Sequence, residues 1–296
     1  MKNILIIGSS GFVGKSLIDF FIKYHNNVNK IYCISRRGFK IINKSQNIKI
    51  IYKKSDFLNI KKLPKINYIF YLINSKNLQK SKKIFSHFKK LLLKLEKKPQ
   101  ILFTSSGAIY GPNLNERKFL ETQPINDNKI KNFNGYKYNY AKEKLFLEKE
   151  FRKLGSFKFK VSIARCFSFY GKHILDYRYI ISDLFKSVIN KKQIILNNRS
   201  KIIRSYMHAN DLAAWLFKIC KNSNYSCPTY NVGSDESFNV SQLALKLAKK
   251  NGLKVIFKSK DKGELDYYVP SVKKAKKKLN LKITKRLKID IKSFLI

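Results

Sequence analysis

Gly8, Gly11 and Gly14 recur every three residues between an apolar run and a stretch of helical periodicity. That spacing constrains this chain more than any other feature. Ile4–Leu5–Ile6–Ile7 carries no polar residue, as a strand buried on both faces of a parallel sheet requires. Leu17, Ile18, Phe20, Phe21 and Ile22 follow with the spacing of one helix face. A strand, a glycine turn and a helix in that order make a phosphate site. Gly8 permits the tight turn, Gly11 lets backbone approach a pyrophosphate, and Gly14 lets the helix lie close to the strand. The helix N-terminus then offers N–H groups and a partial positive charge to the phosphates. Gly8, Ser10, Gly11, Phe12, Val13 and Gly14 are therefore the expected dinucleotide cradle, although the spacing is G-x-x-G-x-x-G rather than G-x-G-x-x-G.

The rest of the chain alternates short apolar runs with helical patterns. Strands are expected at 30–35, 48–52, 66–73, 101–105 and 160–165. A basic helix is expected from Ser81 to Lys98, with Ile84, Phe88, Leu91, Leu92 and Leu95 inward and Pro99 as its stop. A second long helix is expected from about Tyr138 to Leu154, after a polar, Asn-rich loop from Tyr110 to Tyr136. This alternation predicts an α/β protein of the Rossmann type, a doubly wound parallel sheet with a smaller, mostly C-terminal α/β lobe. Residues 1–168 form the expected dinucleotide-binding domain, with 204–233 returning to it. Residues 169–203 and 234–296 form the expected substrate lobe. Helices near 180–190, 211–220 and 241–250 sit among short strands at 193–196 and 254–257.

The end of the second strand bears on cofactor choice. An acidic residue there would bind the ribose 2′-hydroxyl of NAD. The chain has Ser35–Arg36–Arg37 instead, a set that can bind a 2′-phosphate by charge-assisted hydrogen bonds. The expected cofactor is thus NADP or NAD, with NADP favoured. Lys+Arg total 63 against 18 Asp+Glu, a net charge of +45. The excess is mostly lysine scattered along the whole chain, beside abundant Asn and Ile. That pattern fits a solvated, compositionally driven surface better than a nucleic-acid reader, which favours arginine. No apolar run is long enough to span a bilayer. The N-terminus enters a strand almost at once, so no signal peptide is expected. Cys33, Cys166, Cys220 and Cys227 show no metal-ligand pairing and read as reduced thiols of a cytoplasmic protein. His208 and Asp211 lack further residues at ligand spacing, so no metal site is expected.

Proton-transfer chemistry has two candidate pairs. A lysine four residues after a tyrosine shares its helix face and favours the phenolate. Tyr138 and Lys142 match this pattern, and so do Tyr140 and Lys144. The first pair is preferred because small Ala141, rather than bulky Glu143, precedes its lysine. A serine at the end of the preceding strand can hydrogen-bond the same substrate oxygen, while a hydride leaves to a nicotinamide.

With these residues in place, the chain resembles the extended short-chain dehydrogenase/reductase superfamily, in its branch of nucleotide-sugar epimerases and dehydratases. The resemblance rests on Gly8 to Gly14, Ser55–Asp56–Phe57, Ser105 to Gly111, Tyr138 to Lys142, Arg165 to Gly171, Arg204 to Ala213 and Tyr230–Asn231–Val232–Gly233. It implies Ser106, Tyr138 and Lys142 as catalytic triad, Asp56 and Phe57 near adenine, and Arg204 on a substrate diphosphate. It also implies a dimer built on two helices from each subunit.

Departures narrow the reaction. Dehydratases of this type carry an acidic pair after the catalytic hydroxyl, where this chain has Gly107 and Ala108. Tyr71–Leu72–Ile73–Asn74 is bulkier than the small residues usual beside the cofactor, and Ser168 stands where asparagine is common. The expectation is an NAD(P)-dependent enzyme moving a hydride at C4 of a nucleotide-diphosphate sugar, as a 4-epimerase or 4-ketoreductase. The alternative is a non-catalytic NAD(P)-binding scaffold or RNA-binding relative.

Overall fold

The computed structural model describes residues 1–25, 27–38, 48–75, 77–133, 135–176, 179–198, 201–259 and 264–290. Its first half alternates as the apolar pattern demands. β1 (Lys2–Ile7) leads into α1 (Phe12–Tyr24), and β2 (Val28–Ser35) and β3 (Lys49–Lys54) follow. Next come β4 (Tyr68–Tyr71), α2 (Leu78–Leu93), β5 (Gln100–Ser106), α3 (Asp127–Lys131), α4 (Gly135–Lys153) and β6 (Lys160–Cys166). The second half contains β7 (Phe169–Tyr170), α5 (Ile180–Ile189), β8 (Ile194–Leu196), β9 (Ile202–Ser205), β10 (Met207–His208), α6 (Ala209–Lys221) and β11 (Thr229–Val232). β12 (Ser237–Asn239), α7 (Val240–Lys250), β13 (Val255–Phe257), β14 (Asp266–Tyr268) and α8 (Lys273–Leu279) close the order.

Seven strands form one sheet in the order β11-β6-β5-β4-β1-β2-β3, and every pairing in it is parallel. Residues of β1 divide between its two faces. Ile4 and Ile6 join the core under α1 and α6, whereas Leu5 and Ile7 join the core under α2 and α4. Such a strand reads as a continuous apolar run because both of its faces are covered. The chain order reverses between β1 and β4, and a ligand crevice belongs at the carboxyl ends of these strands.

Beyond β6 the chain builds smaller sheets. β9 pairs antiparallel with β12 and parallel with β14, β8 pairs with β13, and β7 with β10. α6 and β11 then rejoin the large sheet, with β11 hydrogen-bonded to β6. The loop before α4 is held in place by Phe119, whose N–H donates to the Val269 carbonyl while its own carbonyl accepts from Ser271 N–H. This bridge brings β14 over the end of β5.

One helix differs from its expected bounds. α2 runs Leu78–Leu93, not 81–98. Asn77 starts it earlier, its side chain accepting from Lys80 N–H at 2.9 Å. It ends at Leu93, well before Lys98, the one residue that Pro99 bars from helical geometry.

A buried ionic network fixes α4 on the sheet. Arg165 of β6 donates from Nε and Nη2 to the two oxygens of Glu148, at 3.0 and 2.9 Å. Its Nη1 donates to the Tyr110 hydroxyl, which donates to Asn231 of β11. Both charges are nearly inaccessible, so a bidentate geometry is what makes their burial tolerable.

α1 depends on a close approach to the glycine turn. A Cβ on Gly14 would lie 2.5 Å from the Ser9 carbonyl oxygen and 2.6 Å from its Cα, a clash that only moving the helix relieves. Gly14→Ala should therefore destabilise the fold by about 1–3 kcal/mol, seen as a lower thermal midpoint. Gly38→Ala, whose Cβ would meet only the Lys54 side chain at 3.9 Å, should leave the midpoint unchanged.

Candidate active site

The crevice at the sheet reversal is lined first by the glycine turn. Gly8 has φ +92, and a Cβ there would press on Leu72 and Ile73 backbone within 3.3 Å. Gly11 is the N-cap of α1, with no side-chain cap and no acidic residue in the first helical turn. The first-turn N–H groups thus keep their capacity for an anion. These features fit a dinucleotide pyrophosphate.

The far wall comes from β4, β5 and α4. Ser106 ends β5 and is buried, and its Oγ accepts from Ala108 N–H at 3.2 Å. Tyr140 of α4 reaches this serine. Burial raises the Tyr140 pKa, and its hydrogen bond with Ser106 pulls the other way. Lys144, one turn further, is only 3% exposed. Its ammonium donates to the Thr104 carbonyl at 3.0 Å and the Ile73 carbonyl at 3.3 Å. It lies 5.7 Å from the centre of the Tyr140 ring and 5.1 Å from that of Phe103. Burial pushes the Lys144 pKa down to about 8, against the nearby charges of Glu143, Cys166 and Glu148.

Tyr138 and Lys142, the pair favoured by the sequence, lie elsewhere. Lys142 is exposed and donates to the Tyr138 hydroxyl at 3.4 Å on the outer surface. Two residues turn an α-helix by about 200°, so the two pairs face opposite sides. The signal that separates them was present in the sequence. Lys144, Leu147, Glu148 and Phe151, all buried, repeat at i, i+3, i+4 and i+7, and Tyr140 is in phase with Leu147. Lys142 and Lys149 share the exposed phase.

Three other expected cofactor residues are placed differently. The Tyr71 ring is fully buried among Phe88, Phe103 and Phe151, because its side chain points to the α2–α4 core. Phe57 is buried against His87 and Phe88, so its ring does not line the crevice. The Ser35 hydroxyl donates to the Arg37 carbonyl at 3.0 Å, accepts from Ser9 Oγ at 3.3 Å and shares a hydrogen bond with Tyr52. It ties the end of β2 to the glycine turn and to β3. Arg36 and Arg37 are exposed. The Asp56 carboxylate accepts from Leu58 N–H and from Lys80. Burial would raise its pKa, but these bonds and the charges of Lys80 and Arg36 hold it below the usual carboxylate range. Phe12 is buried and stacks on Phe169 at 6.2 Å.

Arg204 and Ser168 sit on the lobe side. Arg204 donates to the Asp266 carboxylate and to the carbonyls of Asp266 and Ile203. Ser168 lies between β6 and β7, its carbonyl accepting from Met207 N–H. Tyr268 belongs to no motif of the sequence. Its hydroxyl shares a hydrogen bond with Ser106 Oγ at 3.4 Å, across 162 residues, and its ring lies under the Arg204 guanidinium at 5.7 Å. His208 caps α6, its Nδ1 accepting from Asn210 N–H, and Asp211 accepts from Thr284 and Lys285. Among the described residues no group of three His, Cys, Asp or Glu side chains could hold a metal. No described helix is long and apolar enough to cross a membrane.

Known proteins share this architecture. The bifunctional polymyxin resistance protein ArnA of Wigglesworthia glossinidia brevipalpis is 24% identical over 268 residues, covering 82% of this chain. The match takes in 40% of that protein, so this chain spans about two fifths of its relative's length. The structure of UDP-glucose 4-epimerase from Thermotoga maritima, with UDP-glucose, superposes with a TM-score of 0.78 at 18% identity, covering 99% of this chain and 97% of that one. That of dTDP-glucose 4,6-dehydratase from Bacillus anthracis, in complex with NAD, superposes with a TM-score of 0.77 at 14% identity, covering 99% and 95%. Both likenesses are of fold. The model of the NAD dependent epimerase/dehydratase family matches residues 4–233, more than three quarters of the chain, and the chain belongs to that family.

Proposed function

We propose that this chain transfers a hydride at C4 of a nucleotide-diphosphate sugar, as a 4-epimerase or 4-ketoreductase, with Tyr140 as acid and base. The supporting observation is the Lys144 ammonium, buried beside the Tyr140 ring and fixed by carbonyls from two strand ends. Burial first, then Tyr268, Tyr179 and Cys166, raise the Tyr140 pKa; an ammonium close to a phenol works in the opposite direction. Ser106 and Tyr140 converge on one point where a sugar hydroxyl or ketone oxygen would sit. Ser106 steadies that oxygen, and Tyr140 takes or returns its proton.

The glycine turn and the α1 N-terminus would hold a nicotinamide dinucleotide, which supplies and accepts the hydride when bound. The NADP preference rests on a β2 end that lacks a carboxylate and on Arg36, close enough to act on Asp56. A 4,6-dehydratase fits less well. Gly107 and Ala108 have no proton to move, and a Cβ at Gly107 would already lie 2.5 Å from the Phe167 ring. On the lobe side Arg204 would meet the substrate diphosphate, exchanging part of its bond to Asp266.

Tyr140→Phe should lower turnover of a nucleotide-diphosphate hexose by about 10²–10⁴-fold, with the cofactor still bound. Tyr138→Phe should stay within about twofold of wild type. Full activity in Tyr140→Phe contradicts the assignment. Arg36→Ala combined with Arg37→Ala should weaken NADP binding by about tenfold or more and leave NAD binding unchanged; equal effects on both would remove the NADP preference.

The pH dependence carries opposite signs for rate and stability. The rate needs charged Lys144, so kcat/KM should fall as pH rises through about 8. The unfolded lysine keeps its proton to about pH 10.4. Over this window the unfolded chain therefore binds more protons, and the contribution of Lys144 to stability rises with pH. Melting curves of wild type against Lys144→Met from pH 7 to 10 check the second sign, and a falling contribution would contradict it.

A further inference from the structure

Glu143 is a carboxylate in a place where carboxylates are costly. It lies on α4 immediately before Lys144 and is 0% exposed. An isolated buried charge costs several kcal/mol, so its partners need an account. No described lysine, arginine or histidine forms an ion pair with it. Its Oε1 instead accepts from Ser81 Oγ at 2.6 Å, Ser75 N–H at 3.1 Å and Ser75 Oγ at 3.3 Å. Ser75 lies in the turn that leaves β4, and Ser81 lies in the first turns of α2. The Ser75 and Ser81 hydroxyls are also 2.7 Å apart, so with Ser81 donating to Glu143 the single Ser75 proton goes either to Glu143 or to Ser81. Three elements are thus stitched at one oxygen. The other oxygen, Oε2, is buried without a hydrogen-bond partner, as is the Tyr71 hydroxyl, which feels the Glu143 charge.

The same turn carries the Ile73 carbonyl that holds Lys144. Resting on the catalytic reading of Lys144, we propose that Glu143 is a positioning residue for the reaction. Its carboxylate fastens the turn after β4 to α4 and supplies a buried negative charge beside the Lys144 ammonium. The turn sets where the ammonium sits, and the charge keeps it protonated in a site whose burial works against protonation. The groups facing Lys144 are Tyr140, Glu143 and Glu148 from α4, Cys166 from β6, and the carbonyls of Ile73 and Thr104 after β4 and in β5. Glu143 is the largest of the charges that favour the protonated lysine. A bulky acid before the lysine, out of keeping with the sequence pattern, thereby has a physical purpose.

The test compares pH–rate profiles of wild type, Glu143→Gln, Glu143→Asp and Lys144→Met with a nucleotide-diphosphate hexose. Gln keeps an acceptor for Ser75 and Ser81, removes the charge and puts an amide NH2 where Oε2 was. Its rate at pH 6.5 should stay within about threefold of wild type, while its alkaline limb moves down by about one pH unit. Asp keeps the charge and shortens the reach to Ser81, so its alkaline limb should hold while the KM for cofactor rises severalfold. A folded Gln variant with an unmoved alkaline limb overturns the proposal. If Gln does not fold, an Asp variant with a displaced limb and wild-type KM overturns it as well. Lys144→Met separates the two levels. If it is inactive while the Gln limb is unmoved, only the role of Glu143 falls; if it turns over like wild type, the catalytic reading falls and takes this proposal with it.

Discussion

The Lys144 ammonium, clamped between the Thr104 and Ile73 carbonyls, is the interaction on which the site depends. It joins α4 to the ends of two central strands at the point where chain order reverses. A buried lysine satisfied by main-chain oxygens is placed by the fold and not by its own rotamer freedom. The cost is a lowered affinity for its proton. The Tyr140 phenol lies beside it, and the Ser106 hydroxyl is brought to the phenol by the end of β5.

The supply of acidic side chains shapes the rest. The chain has 18 Asp and Glu against 63 Lys and Arg, and several of the acids work as internal ties. Glu148 locks β6 to α4 through Arg165, Asp211 draws residues 284 and 285 onto α6, and Asp266 holds Arg204. Glu143 binds Ser75 and Ser81. In a strongly basic protein each such acid has many possible surface partners. Burial keeps Glu148 on Arg165 and shields that pair from salt. Lys144 aside, most described lysines lie on the surface, where their charge costs little.

Much of the fold could be read from the chain. A strand covered on both faces must be apolar throughout, and Ile4 to Ile7 is. The glycine at position 14 could be read as a contact between helix and strand, and a Cβ there would indeed strike Ser9. Side-chain direction was harder. Choosing between two tyrosine–lysine pairs required the phase of α4 against the sheet, and local residue size pointed to the outward pair. The resemblance placed Phe57 near adenine and Tyr71 beside the cofactor at the end of the fourth strand, but the turn after β3 and the alternation along β4 send both rings into the core. Tyr268 was out of reach of sequence reasoning, because contacts between distant segments, the β9–β14 pairing and the Phe119 bridge among them, carry it to Ser106.

A crystal structure with reduced cofactor and a nucleotide-diphosphate hexose decides which tyrosine–lysine pair meets the sugar. The Tyr140 hydroxyl is expected within hydrogen-bond reach, about 2.6–3.2 Å, of the sugar C4 oxygen. Lys144 should keep its two carbonyls and give its remaining N–H to the cofactor, with Tyr138 and Lys142 facing solvent. A sugar or nicotinamide seated against Tyr138 and Lys142, with Tyr140 turned away, would contradict the catalytic assignment of Tyr140 and Lys144.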